Sequence, residues 1–291
     1  MKIILTGSLG NISKPLAIEL VQKGHSVTVI SSNSERRKEI EAIGAAAAIG
    51  SLEDVVFLTA TLVNADAVYC MIPPNYGETD QLAYYRRIGR AYQQAIQQSG
   101  VKRVVHLSSW GAHLSKGTGM ILGSHHVENI LNELVYANIT HLRPGSFYTN
   151  LYAFAGMIKH AGMMGSNYGG DDKVVMVHAS DIASAAAEEL QKMSADKKVR
   201  YVGSDELTCN EAAKAIGTAI GKPDLQWLTF TNEQTSKGLA ENGVPAYLIP
   251  YLVDLGASIH SGAMGEDYEV NKPVLGKVKI EDFAKEFAAG F

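Results

Sequence analysis

Hydrophobic and polar positions alternate along the first half of the chain in two kinds of block. Short apolar runs at 2–6, 26–31, 45–49, 67–72, 103–107 and 139–143 have the length and make-up of buried strands. Between them lie stretches whose apolar residues recur three and four apart. In 11–23, Ile12, Leu16, Leu20 and Val21 share one helical face, Pro15 falls in the first turns, and Gly24 ends the run. Segments 34–43, 52–62 and 80–98 read the same way, and 127–136 lies on a further helix. In 80–98, Leu82, Ile88 and Ile96 form the apolar stripe of a covering helix. Strand–helix–strand units of this length imply a parallel sheet covered on both faces, with right-handed crossovers.

After Pro144 the pattern changes. Residues 162–172 (GMMGSNYGGDD) are glycine-rich and loop-like, the composition of either a lid or an inert surface loop. A strand at 174–177 follows, and Ser180 caps a helix over 181–191. From about Ser204 the chain reads as helices with short strands, punctuated by Pro223, Pro245, Pro250 and Pro273. The expected fold class is α/β: a Rossmann-type doubly wound parallel sheet with a smaller C-terminal lobe. Residues 1–150, with the 174–203 segment, are expected to form the nucleotide-binding domain, and 151–173 and 204–291 the substrate lobe.

The turn after the first strand carries the chemistry. It reads Thr6-Gly7-Ser8-Leu9-Gly10-Asn11-Ile12-Ser13 and opens the first helix. Gly7 can take the tight turn off the strand, and Gly10 lets backbone approach a pyrophosphate. Ser13 is small where a third glycine is more usual. The helix start offers free N–H groups and a positive dipole end to phosphates. A plain glycine turn has no need to stand between a strand and a helix at this position. At the end of the second strand an NAD-preferring fold places a carboxylate on the ribose. Here the run is Ser31-Ser32-Asn33-Ser34-Glu35-Arg36-Arg37, whose hydroxyls, amide and guanidinium groups suit a 2′-phosphate. NADP(H) is therefore expected over NAD(H). The alternative for Arg36 and Arg37 is a solvated helix face.

Composition narrows the partners. The 291 residues are 46% hydrophobic and 19% charged, which fits a folded domain rather than a disordered chain. A net charge of −4 argues against a nucleic-acid or anionic-membrane binder. Cys70 and Cys209 stand far apart and outside any CxxC pair, so no disulfide framework is encoded and a reducing cytoplasm fits. Three apolar residues before Thr6 are too few for a signal-peptide core, and no apolar run reaches a membrane span of ~18 residues. Adjacent His125 and His126 point ~100° apart on a helix, and no His-Glu-x-x-His occurs, so no metal is expected. The expected partner is a small-molecule acceptor, with the chain a monomer or homodimer.

Four stretches resemble the NmrA-like group of atypical short-chain dehydrogenase/reductases: TGSLGNIS (6–13), HLSSWGA (106–112), THLRPGSFYTN (140–150) and VVMVHASDIASAAAEEL (174–190). That group includes quinone and dye reductases and a redox-sensing transcriptional regulator. The resemblance implies a residue-by-residue site. Gly7, Leu9, Gly10, Asn11 and Ile12 would wrap the pyrophosphate, and Ser32, Asn33 and Arg36 would meet the adenosine phosphate. Met71, Ile72 and Pro73 would border the adenine ribose and nicotinamide side, with Leu107, Ser108 and Ser109 beside the nicotinamide ribose. Pro144, Gly145, Ser146 and Phe147 would flank the nicotinamide, and Phe147 and Tyr148 would open onto the substrate. Trp110 could stack on a planar acceptor or pack in the core.

The usual catalytic pattern is absent. Typical short-chain reductases use a Ser and a Tyr-x-x-x-Lys, the tyrosine giving the carbonyl oxygen its proton. With Glu128 aligned to the acidic residue that follows the lysine, the lysine position is Ser124, the tyrosine position Met120 and the serine position Trp110. Reducing a quinone leaves a phenolate-like anion (pKa ~10, as for tyrosine), which needs less acid help than an alkoxide. His125 is the candidate proton donor; the alternative is a helix-surface residue. Two functions follow. One is an NADP(H)-dependent reductase of a quinone-like or conjugated acceptor. The other is a non-catalytic NADP(H)-binding redox sensor acting through a protein partner. A nucleotide-sugar epimerase is disfavoured by the missing Tyr-x-x-x-Lys. A reductase should show an apolar, acceptor-sized pocket near Phe147 and Trp110.

Overall fold

The computed structural model describes residues 1–192 and 198–291. Residues 193–197, within the 174–203 segment, lie outside the described residues. The chain begins β1 (Lys2–Leu5), α1 (Ser13–Gln22), β2 (Ser26–Ser31), α2 (Arg37–Ala42), β3 (Ala46–Ile49), α3 (Val55–Leu62) and β4 (Ala67–Cys70). It continues α4 (Gln81–Ser99), β5 (Arg103–Leu107), α5 (Ile121–Asn132), β6 (Asn138–Pro144) and β7 (Ser146–Phe147). Then come α6 (Ala155–Ala161), β8 (Met164–Ser166), β9 (Lys173–Val177), α7 (Ala179–Leu190), β10 (Lys198–Val202) and β11 (Asp205–Thr208). The last part is α8 (Cys209–Ala219), β12 (Trp227–Thr229), α9 (Asn232–Glu241), α10 (Ile249–His260), α11 (Glu266–Val270) and α12 (Ile280–Gly290). No described helix is long and apolar enough to cross a membrane.

One seven-stranded sheet has the order β10-β6-β5-β4-β1-β2-β3. The neighbours from β3 through β6 pair in parallel. This is the doubly wound Rossmann order, whose reversal point lies beside β1. The chain divides into two compact units. The first comprises Met1–Ser108, Gly123–Arg143 and Ile182–Arg200; the second comprises Ser109–Leu122, Pro144–Asp181 and Tyr201–Phe291. Residues 109–122 and 144–150 thus belong to the second unit.

In the first unit the central strands β1, β4 and β5 are buried on both faces, as their unbroken apolar runs require, while β3 at the sheet edge is half-buried. The starts of α3 and α4 follow side-chain caps rather than the apolar pattern. Asp54 accepts from Phe57 N at 3.0 Å, so α3 begins at Val55 and not at 52. Asp80 caps α4 in the same way, and Gly100 ends it at φ 74°. The buried stripe of α4 runs through Tyr84, Ile88, Ala91, Tyr92 and Ala95, while Leu82 is only half-buried. Helix α5 starts at Ile121 and holds residues 127–132 of the expected helical stretch, while 133–136 fall beyond its end. Its first turns read as polar because its buried face carries Gly123, Ser124 and Glu128. A Cβ on Gly123 would lie 2.5 Å from the Tyr85 ring of α4, so only glycine allows that approach.

Two polar groups are built into this core. Arg103 on β5 is 0% exposed and pairs with Glu189 of α7 at 3.0 Å. Its Nε donates to the Glu189 carbonyl at 2.8 Å and its Nη2 to Thr140 Oγ1 at 2.8 Å. Burial alone would raise the Glu189 pKa, but Lys198, Lys192 and Arg200 around it hold its carboxyl down to about 2. Beside it, His106 and His141 face each other Nδ1 to Nδ1 at 3.1 Å, and His141 Nε2 lies 3.2 Å from Asn132 Oδ1. Only one hydrogen fits between the two Nδ1 atoms, so one ring donates and the other accepts.

In the second unit, β7 runs parallel to β9 and β11 antiparallel to it, while β12 pairs in parallel with β8. Their apolar faces and the inner faces of α8 and α12 close a core around Tyr148, Met164, Trp227, Tyr268 and Phe283. The glycine-rich 162–172 segment is not an open loop. It contains β8, and Met164, Gly165, Asn167 and Gly169 are buried. Its glycines admit aromatic neighbours: a Cβ on Gly165 would meet the Phe230 ring at 2.3 Å and one on Gly169 the Trp227 ring at 2.8 Å.

The histidine pair makes acid stability predictable. Burial, then His141, pushes His106 down to about 3. Its unfolded value is about 6.5, so between those limits the unfolded chain binds a proton that the folded one excludes. Stability should therefore fall as the pH drops below about 6.5, by up to ~1.4 kcal/mol per pH unit. Urea midpoints at pH 7 and pH 5 should separate less in His106→Asn than in the unaltered protein; equal separations would refute the assignment.

Candidate nucleotide and acceptor sites

The first unit gathers the glycine turn, the end of β2 and the end of β4. Gly7 has φ 92°, a conformation that suits glycine. A Cβ there would also lie 2.5 Å from Ser13 Oγ and 2.9 Å from Met71 Cγ. Ser13 does more than save space: its hydroxyl donates to the Thr6 carbonyl at 2.8 Å, tying α1 to the end of β1. Thr6 Oγ1 accepts from Met71 N at 2.8 Å, which ties β1 to the segment after β4. Ile12, the residue before α1, is buried, and no side chain caps the helix, which leaves that end for an external acceptor. Gly10 and Asn11 are exposed and Leu9 half-buried at this rim.

Two tyrosines of α4 brace the segment after β4. Tyr92 donates to the Met71 carbonyl at 2.6 Å and Tyr84 to the Pro73 carbonyl at 3.1 Å. Ile72 between them is buried. At the end of β2, Ser8 Oγ donates to Ser31 Oγ at 3.0 Å, and Asn33 N donates to Ser31 Oγ at 3.2 Å. Ser32, Asn33 and Arg36 are exposed. Asn33 accepts from Glu35 N at 2.8 Å, and Arg36 pairs with Glu39 at 2.7 Å. Both partners are about half exposed, so that pair contributes only ~0–1 kcal/mol.

A cavity of about 220 Å³ joins these pieces, lined by Gly7, Ser8, Ser31, Ser32 and Pro73 and also by Leu52, Glu53 and Tyr84. The sequence reading passed over the last three. Tyr84 could have been found as a large polar-tipped residue on the apolar stripe of α4. Glu53 lies in the connection to α3 and takes Arg87 at 2.9 Å, a pairing that only the fold brings about.

Leu107 ends β5 and Ser108 follows it. Ser108 is buried, and its hydroxyl donates to Glu128 Oε1 at 2.5 Å. Arg143 at the end of β6 grips the same carboxylate through Nε at 2.9 Å and Nη2 at 2.7 Å. Such a buried two-pronged pair is strongly directional. Ser124 is buried on the same helix, and His125 is half-buried with Nε2 3.0 Å from the Asn129 amide nitrogen.

The remaining expected site residues belong to the second unit. Trp110 N donates to the Pro144 carbonyl at 2.9 Å and Gly145 N to the Val202 carbonyl at 3.0 Å. Gly145 sits so close to β9 that a Cβ would lie 2.4 Å from the Val175 carbonyl oxygen. Ser109 and Phe147 are half-buried. Tyr148 does not open outward. It is 1% exposed, donates to Asp205 Oδ2 at 2.5 Å and stacks on Phe283 with centroids 5.3 Å apart. Burial and the Asp205 carboxylate push its hydroxyl far above the usual tyrosine range, so it does not ionise near neutrality. Trp110 is 5% exposed and lines a cavity of about 530 Å³ that Phe147 does not line. Carboxylates and apolar side chains line that cavity together. Among the described residues no three His, Cys, Asp or Glu side chains gather as metal ligands.

The glycine turn, the uncapped helix and the strand order define a dinucleotide-binding fold of the short-chain reductase kind. Within it, residues 1–248 match the NmrA-like family, and the chain belongs to that family. An NAD(P)H azoreductase of Xenophilus azovorans is 25% identical over 99% of both chains. An NADPH-dependent quinone oxidoreductase of Escherichia coli, solved with NADPH, superposes with a TM-score of 0.83 at 20% identity, covering 98% of this chain and 99% of that one. A triphenylmethane reductase of Citrobacter superposes with 0.80 at 17% identity over the full length of both. Similarity to the two solved structures at these identities speaks for the fold.

Gly7→Ala should be costly twice over, through its positive φ and through Ser13 and Met71. A loss of ~2 kcal/mol in urea unfolding is expected, with NADPH affinity in a fluorescence titration falling by at least about tenfold, as ~1.4 kcal/mol of lost contact at the turn would give. An alanine variant that binds NADPH as well as the unaltered protein would remove the turn from the site.

Proposed function

We propose that the protein is an NAD(P)H-dependent reductase that delivers hydride to a quinone-like or other conjugated acceptor. The observation that carries the reading is an intact dinucleotide turn in a chain whose positions for the usual catalytic acid hold Met120, Ser124 and Trp110. A reduced nicotinamide, when bound, supplies the hydride. The residues of the first unit then hold and orient the nucleotide: Gly7, Leu9, Gly10, Asn11 and Ile12 at the pyrophosphate, and Met71, Ile72 and Pro73 along its edge. Leu107 and Ser108 stand at the ribose, with Ser108 fixed by Glu128. Ser109, Pro144, Gly145 and Phe147 are the residues assigned to the nicotinamide end. Positioning of two flat reactants supplies most of the rate. A phenolate-like product needs little acid, so His125 is at most an accessory donor. The relatives named for azo, quinone and triphenylmethane substrates share conjugated acceptors, which supports the reading.

The nucleotide is NADP(H) in preference to NAD(H). No carboxylate stands at the end of β2, and Arg36 is held only by an exposed pair with Glu39 that a 2′-phosphate can outcompete.

Following NADPH absorbance with a panel of quinones, azo compounds and conjugated carbonyls tests the function. Saturable oxidation, faster with NADPH than NADH, is expected. Tight NADPH binding with no oxidation across the panel would overturn it in favour of a sensor. Arg36→Ala should raise KM for NADPH about tenfold and leave that for NADH near its starting value, the size expected for one charge-assisted phosphate contact of ~1.5 kcal/mol.

A further inference from the structure

Strands β5 and β6 run parallel, so α5, which joins them, runs back from the carboxyl edge of the sheet. Its first turns lie at the edge from which the glycine turn leaves β1, because β1, β4 and β5 are parallel too. Glu128 marks the level of the end of β5, since it takes the Ser108 hydroxyl at 2.5 Å. Ser124 precedes Glu128 by one helical turn on the same buried face of α5. That places Ser124 about 6 Å nearer the carboxyl edge, and helix side chains tilt further that way. Open parallel sheets hold their ligands at this edge. Ser108, Ser124, Glu128 and Arg143 all belong to the first unit.

Ser124 is only 8% exposed, yet its hydroxyl bonds to nothing among the described residues. Hydroxyls on other helices return to the carbonyl four residues back: Thr59 donates to Val55 at 2.7 Å and Thr61 to Phe57 at 2.8 Å. Ser124 makes no such bond to Met120. Nor is its oxygen sealed away from solvent, as the partnerless hydroxyls of Tyr69 and Thr118 are. A hydroxyl held this deep and left unspent is open to an outside partner. Ser108 differs. Its one hydrogen is committed to Glu128, whose carboxylate Arg143 grips from the other side, so Ser108 has only lone pairs left to offer.

We propose that Ser124 and Ser108 together seat the two neighbouring hydroxyls of the ribose on the nicotinamide side of the nucleotide. Ser108 accepts from one of them, and Ser124, with its hydrogen free, donates to the other. The sheet order supports the assignment. Strand β5 lies on the far side of β1 from β2, the strand whose end is assigned to the adenosine phosphate, and two strand spacings put it about 10 Å along the edge from the glycine turn. Resting on the nucleotide reading above, this seat adds a contact from α5 that carries no charge, and its contribution is therefore insensitive to salt.

The test is calorimetric titration of the full chain with NADPH and with an NADPH analogue that lacks both hydroxyls of the nicotinamide ribose. No acceptor is added, so the readout owes nothing to hydride transfer. The unaltered protein should bind NADPH about tenfold more tightly than the analogue, the scale of two hydrogen bonds between uncharged groups. Ser124→Ala should weaken NADPH about fivefold and leave the analogue where it was, so that the preference shrinks by the same factor. Alanine suits a helix better than serine, so urea unfolding of this variant should show no loss of stability. Ser108→Ala is the second variant and should give the same pattern. Equal binding of the two ligands by the unaltered protein, a preference that survives in both variants, or an equal loss of both ligands in Ser124→Ala would overturn the seat and leave the reductase reading standing. A protein that binds neither ligand would overturn both. Failed turnover with the preference intact would count against the reductase alone.

Discussion

No side chain fits at position 7. Ser13 from α1 and Met71 from the end of β4 close on that one α-carbon, and its backbone lies at φ 92°. The three elements converge there because Thr6 is bonded to both: its carbonyl takes the Ser13 hydroxyl, and its own hydroxyl takes Met71 N. The result points the open end of α1 past the strand ends. Helix α4 reinforces the arrangement from behind, since Tyr84 and Tyr92 hold the carbonyls of Pro73 and Met71. The shape of the turn is therefore a matter of backbone placement, and the side chains around it serve mainly to hold that backbone still.

The first unit also carries charge where its sheet is buried. Arg103 with Glu189, and Arg143 with Glu128, are each nearly inaccessible. Removing one member of such a pair strands the other at a cost of ~3–5 kcal/mol, whereas the intact pair contributes little net stability. The first pair ties β5 to α7, and the second ties β6 to α5, the helix before it. The second also fixes Ser108, so a residue at the expected ribose position is oriented by a charge network spanning α5 and the end of β6. In a chain without the usual tyrosine and lysine, orientation is what remains for the protein to supply.

Several elements were legible because each rests on a local signal. The six apolar runs became β1 to β6, and the strand–helix alternation implied the parallel order. The spacing of Gly7, Gly10 and Ser13 marked the turn. Helix starts were less legible at α3, where Asp54 rather than the apolar pattern sets the first residue. The first turns of α5 were less legible because Gly123, Ser124 and Glu128 face inward, and their reasons for doing so, Tyr85, Ser108 and Arg143, lie elsewhere in the chain. The glycine-rich 162–172 segment looked like a loop, yet its glycines serve contact with Phe230 and Trp227, more than fifty residues on.

By itself the sequence determined the fold class, the dinucleotide turn, the family and the lack of the usual acid. All of these are written in residues close together, where spacing and residue type are sufficient. Only the tertiary structure decided that Tyr148 is committed to Asp205, that Ser108 answers to Glu128 and Arg143, and that Trp110 lines a cavity together with carboxylates. Those outcomes depend on which distant side chains share a desolvated space, and in such a space a polar group's role is set by the partner it finds rather than by its neighbours in the chain.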